Sequence, residues 1–308
     1  MSKLAYLGPE GTFCEAALRE LAPEAERLPC ANVKAALDAV RNGEAEGAVV
    51  PLENSLEGGI AQTLDEFAWG KPLLIVAELL LPVEFSLLVR PGTEMRQIKR
   101  IFTHPAAHTQ CREFIDREIP GAVVVHASST AGAAQEIANP ESPYDAAIGP
   151  AIAGEIYDLT ELASDIGDRN DTVTRFVQVA PPGALPEPTG ADRSSMVAFL
   201  RDDHAGALLE MLSEFSVRGV NLTRIESRPT GDGIGSYFFH FDCEGHIAEA
   251  RVGEAVSGLH RISGDLRFLG SYPRADKVPT QIKRGTADPD FAEAAGWLSR
   301  MRAGSVQR

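Results

Sequence analysis

The chain has 308 residues, of which 44% are hydrophobic and 24% charged, and its formal net charge is −15. This composition is typical of a globular protein with one large core or two medium ones, and it excludes a disordered chain. The strong negative charge argues against nucleic acid or an anionic membrane as a partner. Any anionic substrate must therefore be held by local donors.

The cysteine pattern and the apolar segments indicate the compartment. No two of the four cysteines have C-x-x-C spacing, so the sequence predicts neither a zinc site nor a redox motif. Four scattered thiols fit a reducing cytosol better than a disulfide framework. The first eight residues lack a signal-peptide core, and no later stretch is long enough to span a membrane. We therefore expect a cytoplasmic protein without a metal.

Strands and helices alternate over the first 180 residues. Strands are predicted at residues 4–7, 47–52, 73–80, 85–89, 123–126, 146–149 and 174–179. Helices are predicted at residues 12–21, 33–41, 60–69, 106–118, 130–138 and 151–157. This alternation predicts a mostly parallel sheet whose strand ends carry the site.

A proline-rich linker at residues 181–190 separates this part from the next, because four prolines and two glycines cannot form a helix or a central strand. After it the predicted order is βαββαβ, a ferredoxin-like unit, over residues 194–272. Glycines at 231–235 predict a hairpin turn rather than a nucleotide loop. From Arg274 a polar stretch precedes a short helix at 291–302 with an apolar side that should dock.

The segment at residues 6–13 predicts a strand, a glycine-bracketed turn and the start of a helix. Backbone N–H groups at a helix start attract an anion, so Gly11 and Thr12 are candidates for holding a substrate carboxylate. A turn that binds nothing explains the same residues equally well.

Three polar residues, Glu53, Asn54 and Ser55, follow a predicted buried strand. Polar residues at the carboxyl end of a parallel strand lie where open α/β sheets bind ligands. The alternative is that Asn54 and Ser55 only cap the next helix.

Thr174, Arg175 and Phe176 begin the last strand of the first part. A guanidinium beside a hydroxyl can bind a carboxylate while the hydroxyl reaches a second group. Taken alone, the residues favour a solvated arginine beside a β-favouring threonine.

His104 and His108 lie four residues apart at a predicted helix start, but their segment offers no third metal ligand. They are better interpreted as surface histidines, with His104 as the one that would face a cleft. No G-x-G-x-x-G follows a strand and no G-x-x-x-x-G-K-[ST] occurs, which disfavours a nicotinamide or ATP enzyme. We expect no cofactor.

Taken together and in this order, the motifs resemble those of prephenate dehydratases, including a His104-Pro105 segment that ends in Gln110-Cys111-Arg112. The second part resembles the phenylalanine-binding ACT domain of the same enzymes, through Gly206-Ala207-Leu208 and a Glu-Ser-Arg-Pro run from Glu226 to Pro229. The resemblance covers about residues 4–273.

The resemblance implies a two-lobed catalytic domain at 1–180, similar to type II periplasmic binding proteins, with the site between the lobes. One lobe should hold about residues 1–77 plus 160–180, and the other about 80–160. A linker at 181–192, an ACT domain at 193–273 and a tail at 274–308 should follow. Because the first strand begins at Leu4, we expect no N-terminal chorismate mutase.

The family converts prephenate to phenylpyruvate without metal or organic cofactor. The resemblance implies that Thr174 hydrogen bonds or protonates the leaving hydroxyl, that Arg175 binds a carboxylate and that Phe176 packs beneath the site. Glu53, Asn54 and Ser55 should line the opposite wall. Ala106 stands where many relatives carry glutamine, so that contact is absent or supplied by another side chain, and His104 is a weaker candidate.

The resemblance also implies feedback control by L-phenylalanine bound between paired ACT domains. The effector should lie near Gly206, Ala207 and Leu208 of one chain and near Asn221, Leu222, Glu226 and Ser227 of its partner. The amide oxygen of Asn221 can accept from the ammonium group. Such a site requires a homodimer or a homotetramer. The structural alternative is that Gly206 permits tight packing and that Arg228-Pro229 ends a strand.

Two other functions fit the same motifs. An arogenate dehydratase would use the same chemistry on the aminated substrate. A non-catalytic amino-acid or solute sensor would use the same lobed fold, but it leaves Thr174, Arg175 and Phe176 unexplained.

Overall fold

The computed structural model describes residues 2–231, 233 and 236–305. The chain divides into two compact units. One consists of the chain up to residue 66 together with 79–179, and the other of 67–78 together with the chain from 180 onward. Each unit has its own core.

The strands of the first 180 residues are β1 (Lys3–Leu7), β2 (Glu26–Cys30), β3 (Gly47–Asn54), β4 (Gly58–Gly59), β5 (Leu74–Pro82), β6 (Ser86–Val89), β7 (Arg100–Thr103), β8 (Val123–His126), β9 (Ala146–Gly149), β10 (Thr160–Ala163) and β11 (Val173–Ala180). The helices are α1 (Phe13–Leu21), α2 (Val33–Arg41), α3 (Ala61–Trp69), α4 (Pro105–Gln110), α5 (Arg112–Glu118), α6 (Thr130–Ala138) and α7 (Ala151–Ile156).

These strands form two sheets, which we call the first and second lobes. The first has the order β2-β1-β3-β11-β5, with β4 beside β3, and the second has the order β10-β6-β9-β7-β8. The chain passes to the second lobe after β5 and returns through β11, as the two-lobed prediction requires. The expected mixed α/β architecture with two lobes is confirmed.

The sheets are less parallel than expected. β11 runs antiparallel to β3, and β6 runs antiparallel to both β9 and β10, because the chain crosses between lobes and returns. The second lobe includes β10 and so extends beyond residue 160. The predicted helix at 106–118 is two helices, since the backbone of Cys111 leaves helical geometry (φ −122°, ψ 19°).

The second unit contains β12 (Asp192–Phe199), α8 (Ala207–Ser216), β13 (Leu222–Pro229), β14 (Tyr237–Glu244), α9 (Ala250–Ile262), β15 (Asp265–Pro273) and α10 (Asp288–Arg302). The order βαββαβ is as predicted, and the antiparallel sheet has the order β13-β14-β12-β15. Part of the predicted hairpin turn, at 232, 234 and 235, lies outside the described residues. α10 lies against α9 and leaves Trp297 and Leu298 about half exposed.

Packing of α8 and α9 on one face of this sheet builds the second unit's core, in which Met211, Phe215, Phe241 and Leu259 are buried. The apolar positions of α8 recur at helical spacing, so one side of the helix faces the sheet. Within the described residues, no helix has both the length and the apolar character to cross a bilayer.

The four cysteines are buried to different extents, and burial affects how readily a thiol ionises and reacts. Burial raises the pKa of Cys14, Cys111 and Cys243 to about 12 in each case, whereas Cys30 is only partly buried and its pKa is raised less. The thiolate is the reactive form. We therefore expect iodoacetamide at pH 8 to label Cys30 first, with the other three at least about tenfold slower. Timed peptide mass spectrometry measures this, and equal rates at all four sites would contradict it.

Candidate active site

A cavity of about 390 Å³ lies between the two lobes and is lined by residues from both. Thr12, Asn54 and Thr174 come from the first lobe, and His104 and Thr130 come from the second. Among the described residues that line it, none is lysine or arginine, and Glu57 is the only acid. An anionic ligand in this cavity would be held by neutral donors.

Thr174 and Asn54 form the polar floor of the cavity. They face each other in the pairing of β11 with β3, and Asn54 Nδ2 donates to Thr174 Oγ1 at 2.9 Å. The backbone N–H groups of Leu56 and Glu57 donate to Asn54 Oδ1 at 2.9 and 3.1 Å, which fixes the amide orientation. Since Oγ1 accepts from Asn54, the hydroxyl of Thr174 can donate its own hydrogen into the cavity.

The pairing of β11 with β3 places Asn54 in a different part of the cavity from the one expected. Asn54 was expected on the wall opposite Thr174, but the two lie side by side on neighbouring strands. Phe176, on the same face of β11 as Thr174, lines the cavity and packs in the core of the first lobe.

Arg175 and Glu53 lie away from the cavity lining. Successive side chains of a strand point to opposite faces, so Arg175 is separated from Thr174 and Phe176. It is buried, with Nη1 3.7 Å from Glu53 Oε2 on the paired strand. The side chain of Ser55 also has a structural contact, since its Oγ accepts from the Val173 N–H at 3.0 Å. The structure therefore does not place these three residues where the sequence analysis expected them.

The helix start at Gly11 is already occupied by the protein's own carboxylate. Gly11 (φ 84°) donates its N–H to Glu15 Oε2 at 2.7 Å, and Glu15 is buried with Arg19 2.6 Å from its Oε1. The sequence analysis offered this turn as a possible holder of the substrate carboxylate, whereas in the structure the Gly11 N–H is used by Glu15. Thr12 lines the cavity and caps α1 by accepting from the Glu15 N–H.

His104 faces the cavity and is the N-cap of α4. Its Nδ1 accepts from the Ala106 N–H at 3.2 Å, which leaves the imidazole proton on Nε2. Burial lowers the pKa of His104 below its usual value, so the ring is neutral at pH 7. His108 contacts His126 instead, at 3.2 Å between ring nitrogens. The described residues hold no group of three potential metal ligands.

Several lining residues were not among the predicted site residues. Gln110 Nε2 donates to Glu57 Oε1 at 3.2 Å, which joins the two lobes at the cavity. Ser128, Ser129 and Thr130 line the second-lobe side, where α6 begins. They follow the carboxyl end of β8, so the rule that identified Asn54 could also have identified them.

The predicted effector residues lie in two places in the second unit. Gly206 (φ 96°) is the N-cap of α8, Ala207 is buried, and Leu208 packs against the core. The others lie just before or on β13, one of the two edge strands of the sheet, where Asn221 and Ser227 are exposed. An exposed edge strand can pair with a second chain.

Known proteins match the chain over its whole length. The family model described as "Prephenate dehydratase" matches residues 4–183 and the "ACT domain" model matches residues 195–260. A prephenate dehydratase of Amycolatopsis methanolica is 45% identical over 306 residues, covering 99% of each chain.

Two solved structures also match the chain over most of its length. Prephenate dehydratase from Arthrobacter aurescens in complex with L-Phe is 51% identical with a TM-score of 0.93, covering 98% of this chain and 99% of that one. A structure described as a quorum quenching acylase, GqqA, is 32% identical with a TM-score of 0.78, covering 88% and 97%. Together with the two-lobed fold and its cavity, these matches show that the chain belongs to the prephenate dehydratase family and carries an ACT domain.

Proposed function

We propose that this chain converts prephenate to phenylpyruvate in L-phenylalanine biosynthesis. The observation that carries the proposal is the Thr174 hydroxyl, held as an acceptor by Asn54 so that it can donate into a cavity between two lobes. The ring carboxylate leaves as carbon dioxide, its bonding electrons enter the ring, and the C–O bond breaks. The hydroxide takes up a proton and leaves as water.

The residues of the cavity supply orientation more than acid strength. A threonine hydroxyl is a weak acid, so Thr174 stabilises the departing hydroxide by a hydrogen bond directed at the developing charge. Phe13 and Phe85, in edge contact at 5.6 Å between ring centroids, border the cavity and can pack against the substrate ring. Aromatisation supplies the driving force, and the enzyme holds the reactive geometry.

The absence of lysine and arginine from the described lining also favours loss of carbon dioxide. A carboxylate paired with a cation is stabilised in the ground state, whereas one held in a cavity without cations is destabilised relative to the product. We propose that neutral donors, including the Gln110 amide and the serine-rich start of α6, hold the substrate.

An acylase activity has less support from this geometry. Acyl transfer through a covalent intermediate needs an activated nucleophile. The thiol that lines the cavity, Cys14, is held protonated because burial raises its pKa to about 12. The cavity thus favours dehydration.

The test is direct conversion of prephenate by the purified full-length chain, followed by the absorbance of phenylpyruvate. We expect turnover that a metal chelator leaves unchanged. The same assay with arogenate measures the preference for the keto or the amino substrate. Calorimetry that shows prephenate bound but never consumed would instead support a sensor.

We further propose that L-phenylalanine binds between ACT domains of two chains, in a homodimer or homotetramer, and lowers activity. Support comes from the exposed edge strand β13, from Gly206–Leu208 at the start of α8, and from the L-Phe bound in the Arthrobacter relative. Free cysteines favour the cytoplasm as the compartment. If saturating L-phenylalanine changed neither kinetics nor sedimentation, this regulatory part would be wrong.

A further inference from the structure

The segment of residues 67–78, which we call the coupling segment, belongs to the second unit although it lies within the catalytic part of the sequence. It contains the end of α3 and the first half of β5. The second half of β5, from Leu79, belongs to the first unit. One continuous strand therefore has residues in both units.

Contacts at Trp69, Gly70 and Ile75 hold the coupling segment within the second unit. The Trp69 ring meets Phe199 and Phe238 edge-on, with centroids 5.0 and 5.4 Å apart. Arg267 Nη1 donates to the Gly70 carbonyl at 2.9 Å. At Gly270 a Cβ atom would lie only 2.3 Å from the Ile75 carbonyl oxygen, so β15 approaches the coupling segment at a distance that only glycine permits.

Glu78 ends the segment with a buried carboxylate. Its Oε2 accepts from Arg193 Nη1 at 2.9 Å, and its Oε1 accepts from the Ala275 N–H at 2.9 Å. Arg193 lies at the start of β12, and Ala275 follows the end of β15. Removing one partner of a buried ion pair leaves an uncompensated charge, so loss of either partner should destabilise this attachment.

The residues after Glu78 lead to the cavity floor. Leu79 and Leu81 pack against the core cluster that contains Phe176. β5 lies beside β11, and the Val83 N–H donates to the Thr172 carbonyl at 2.8 Å, two residues before Thr174. Close-packed elements transmit small displacements, and residues 79–82 span only about 10 Å of extended chain.

We propose that the Glu78–Arg193 pair is the positioning contact through which effector binding to the ACT domain reaches β11 and Thr174. The proposal rests on the regulation proposed above and names its route. Neither residue lines the cavity or belongs to the predicted effector residues. Substitution at Glu78 should therefore separate effector binding from its consequence.

The experiment compares the full-length wild type with Glu78→Gln and with a matched control, Glu249→Gln. Glu249 has the same kinds of partner in the same unit, since its Oε2 accepts from Arg251 Nη2 at 2.6 Å and its Oε1 accepts from the His246 N–H at 2.7 Å. Calorimetry gives the dissociation constant of L-phenylalanine, and hydrogen exchange with and without L-phenylalanine follows residues 79–82 and 173–177. Initial rates on prephenate, with and without L-phenylalanine, give the functional response.

In the wild type and Glu249→Gln, L-phenylalanine should change hydrogen exchange in the second unit and also in residues 79–82 and 173–177. In Glu78→Gln the change should be confined to the second unit, with the dissociation constant within about twofold of wild type. The inhibition ratio is the rate without L-phenylalanine divided by the rate with it. In Glu78→Gln this ratio should be at least about fivefold smaller than in the wild type and closer to one. The rate without effector should stay the same.

A full wild-type response in Glu78→Gln would overturn the proposal, as would an equal loss in Glu249→Gln or a wild type that does not bind L-phenylalanine. Should Glu78→Gln fail to fold, Arg193→Lys keeps the charge but loses the guanidinium geometry, and it should show an intermediate loss of coupling. Hydrogen exchange needs no turnover, so the result can be interpreted even if prephenate is not the substrate.

Discussion

Replacing Thr174 with alanine is expected to lower kcat for phenylpyruvate formation by about 10²–10⁴-fold, the usual range for loss of a positioned proton-transfer or hydrogen-bonding group. The hydroxyl is buried at the cavity floor and is held as an acceptor by Asn54. Without it, the departing hydroxide loses the donor aimed at its developing charge. KM should change much less than kcat, because this interaction strengthens in the transition state.

Two variants serve as controls for this result. Thr174→Ser keeps the hydroxyl and should retain most of the activity. Thr172→Val changes a neighbouring threonine whose buried hydroxyl has no hydrogen-bond partner among the described residues and does not line the cavity. It should leave kcat and stability nearly unchanged. If Thr174→Ala turned over prephenate like the wild type, the proposed role of this hydroxyl would be wrong.

Asn54→Asp is expected to lower kcat/KM at pH 7 by roughly 10²-fold with little loss of stability, comparable to removing one oriented donor from an active site. The aspartate can still accept from the N–H groups of Leu56 and Glu57, so the turn stays folded. It cannot donate to Thr174. The Thr174 hydroxyl would instead donate to the carboxylate, and its hydrogen would turn away from the cavity.

The pH dependence of this variant identifies the cause. A protonated aspartic acid can again donate to Thr174 Oγ1, so activity relative to wild type should rise as the pH falls through the pKa of the new carboxyl group. Thermal denaturation should show a change in unfolding free energy within about 1 kcal/mol at pH 7. A variant with wild-type kcat/KM at every pH would show that the amide donor has no part in catalysis.

The difference between Thr174 and Arg175 shows where sequence reasoning stopped. The family resemblance gave both residues a role at the substrate, Thr174 at the leaving hydroxyl and Arg175 at a carboxylate. Alternation along β11 puts them on opposite faces, and only the tertiary structure shows that the face of Thr174 meets the cavity. The two-residue repeat of a strand predicts that the side chains of Thr174 and Arg175 lie on opposite faces of the sheet, but it does not say which of the two faces lines a binding site.

The β1–α1 turn shows a related limit. The sequence offered the helix start as a possible site for a substrate carboxylate. It could not show that Glu15, four residues further along α1, supplies the carboxylate found there, because a carboxylate at this position is equally compatible with an exposed helix face.

By itself the sequence determined the mixed α/β class, the ferredoxin-like unit and the family, because these depend on local periodicity, turn residues and ordered motifs. It also identified Asn54 and Thr174 as polar residues at strand ends. It did not predict the strands β2, β4, β7 and β10. Only the tertiary structure decided that these two are partners across 120 residues, that Glu57 and Gln110 meet between the lobes, and that residues 67–78 belong with the second unit. Pairings over such separations depend on how the lobes and sheets pack, and no local pattern encodes that packing.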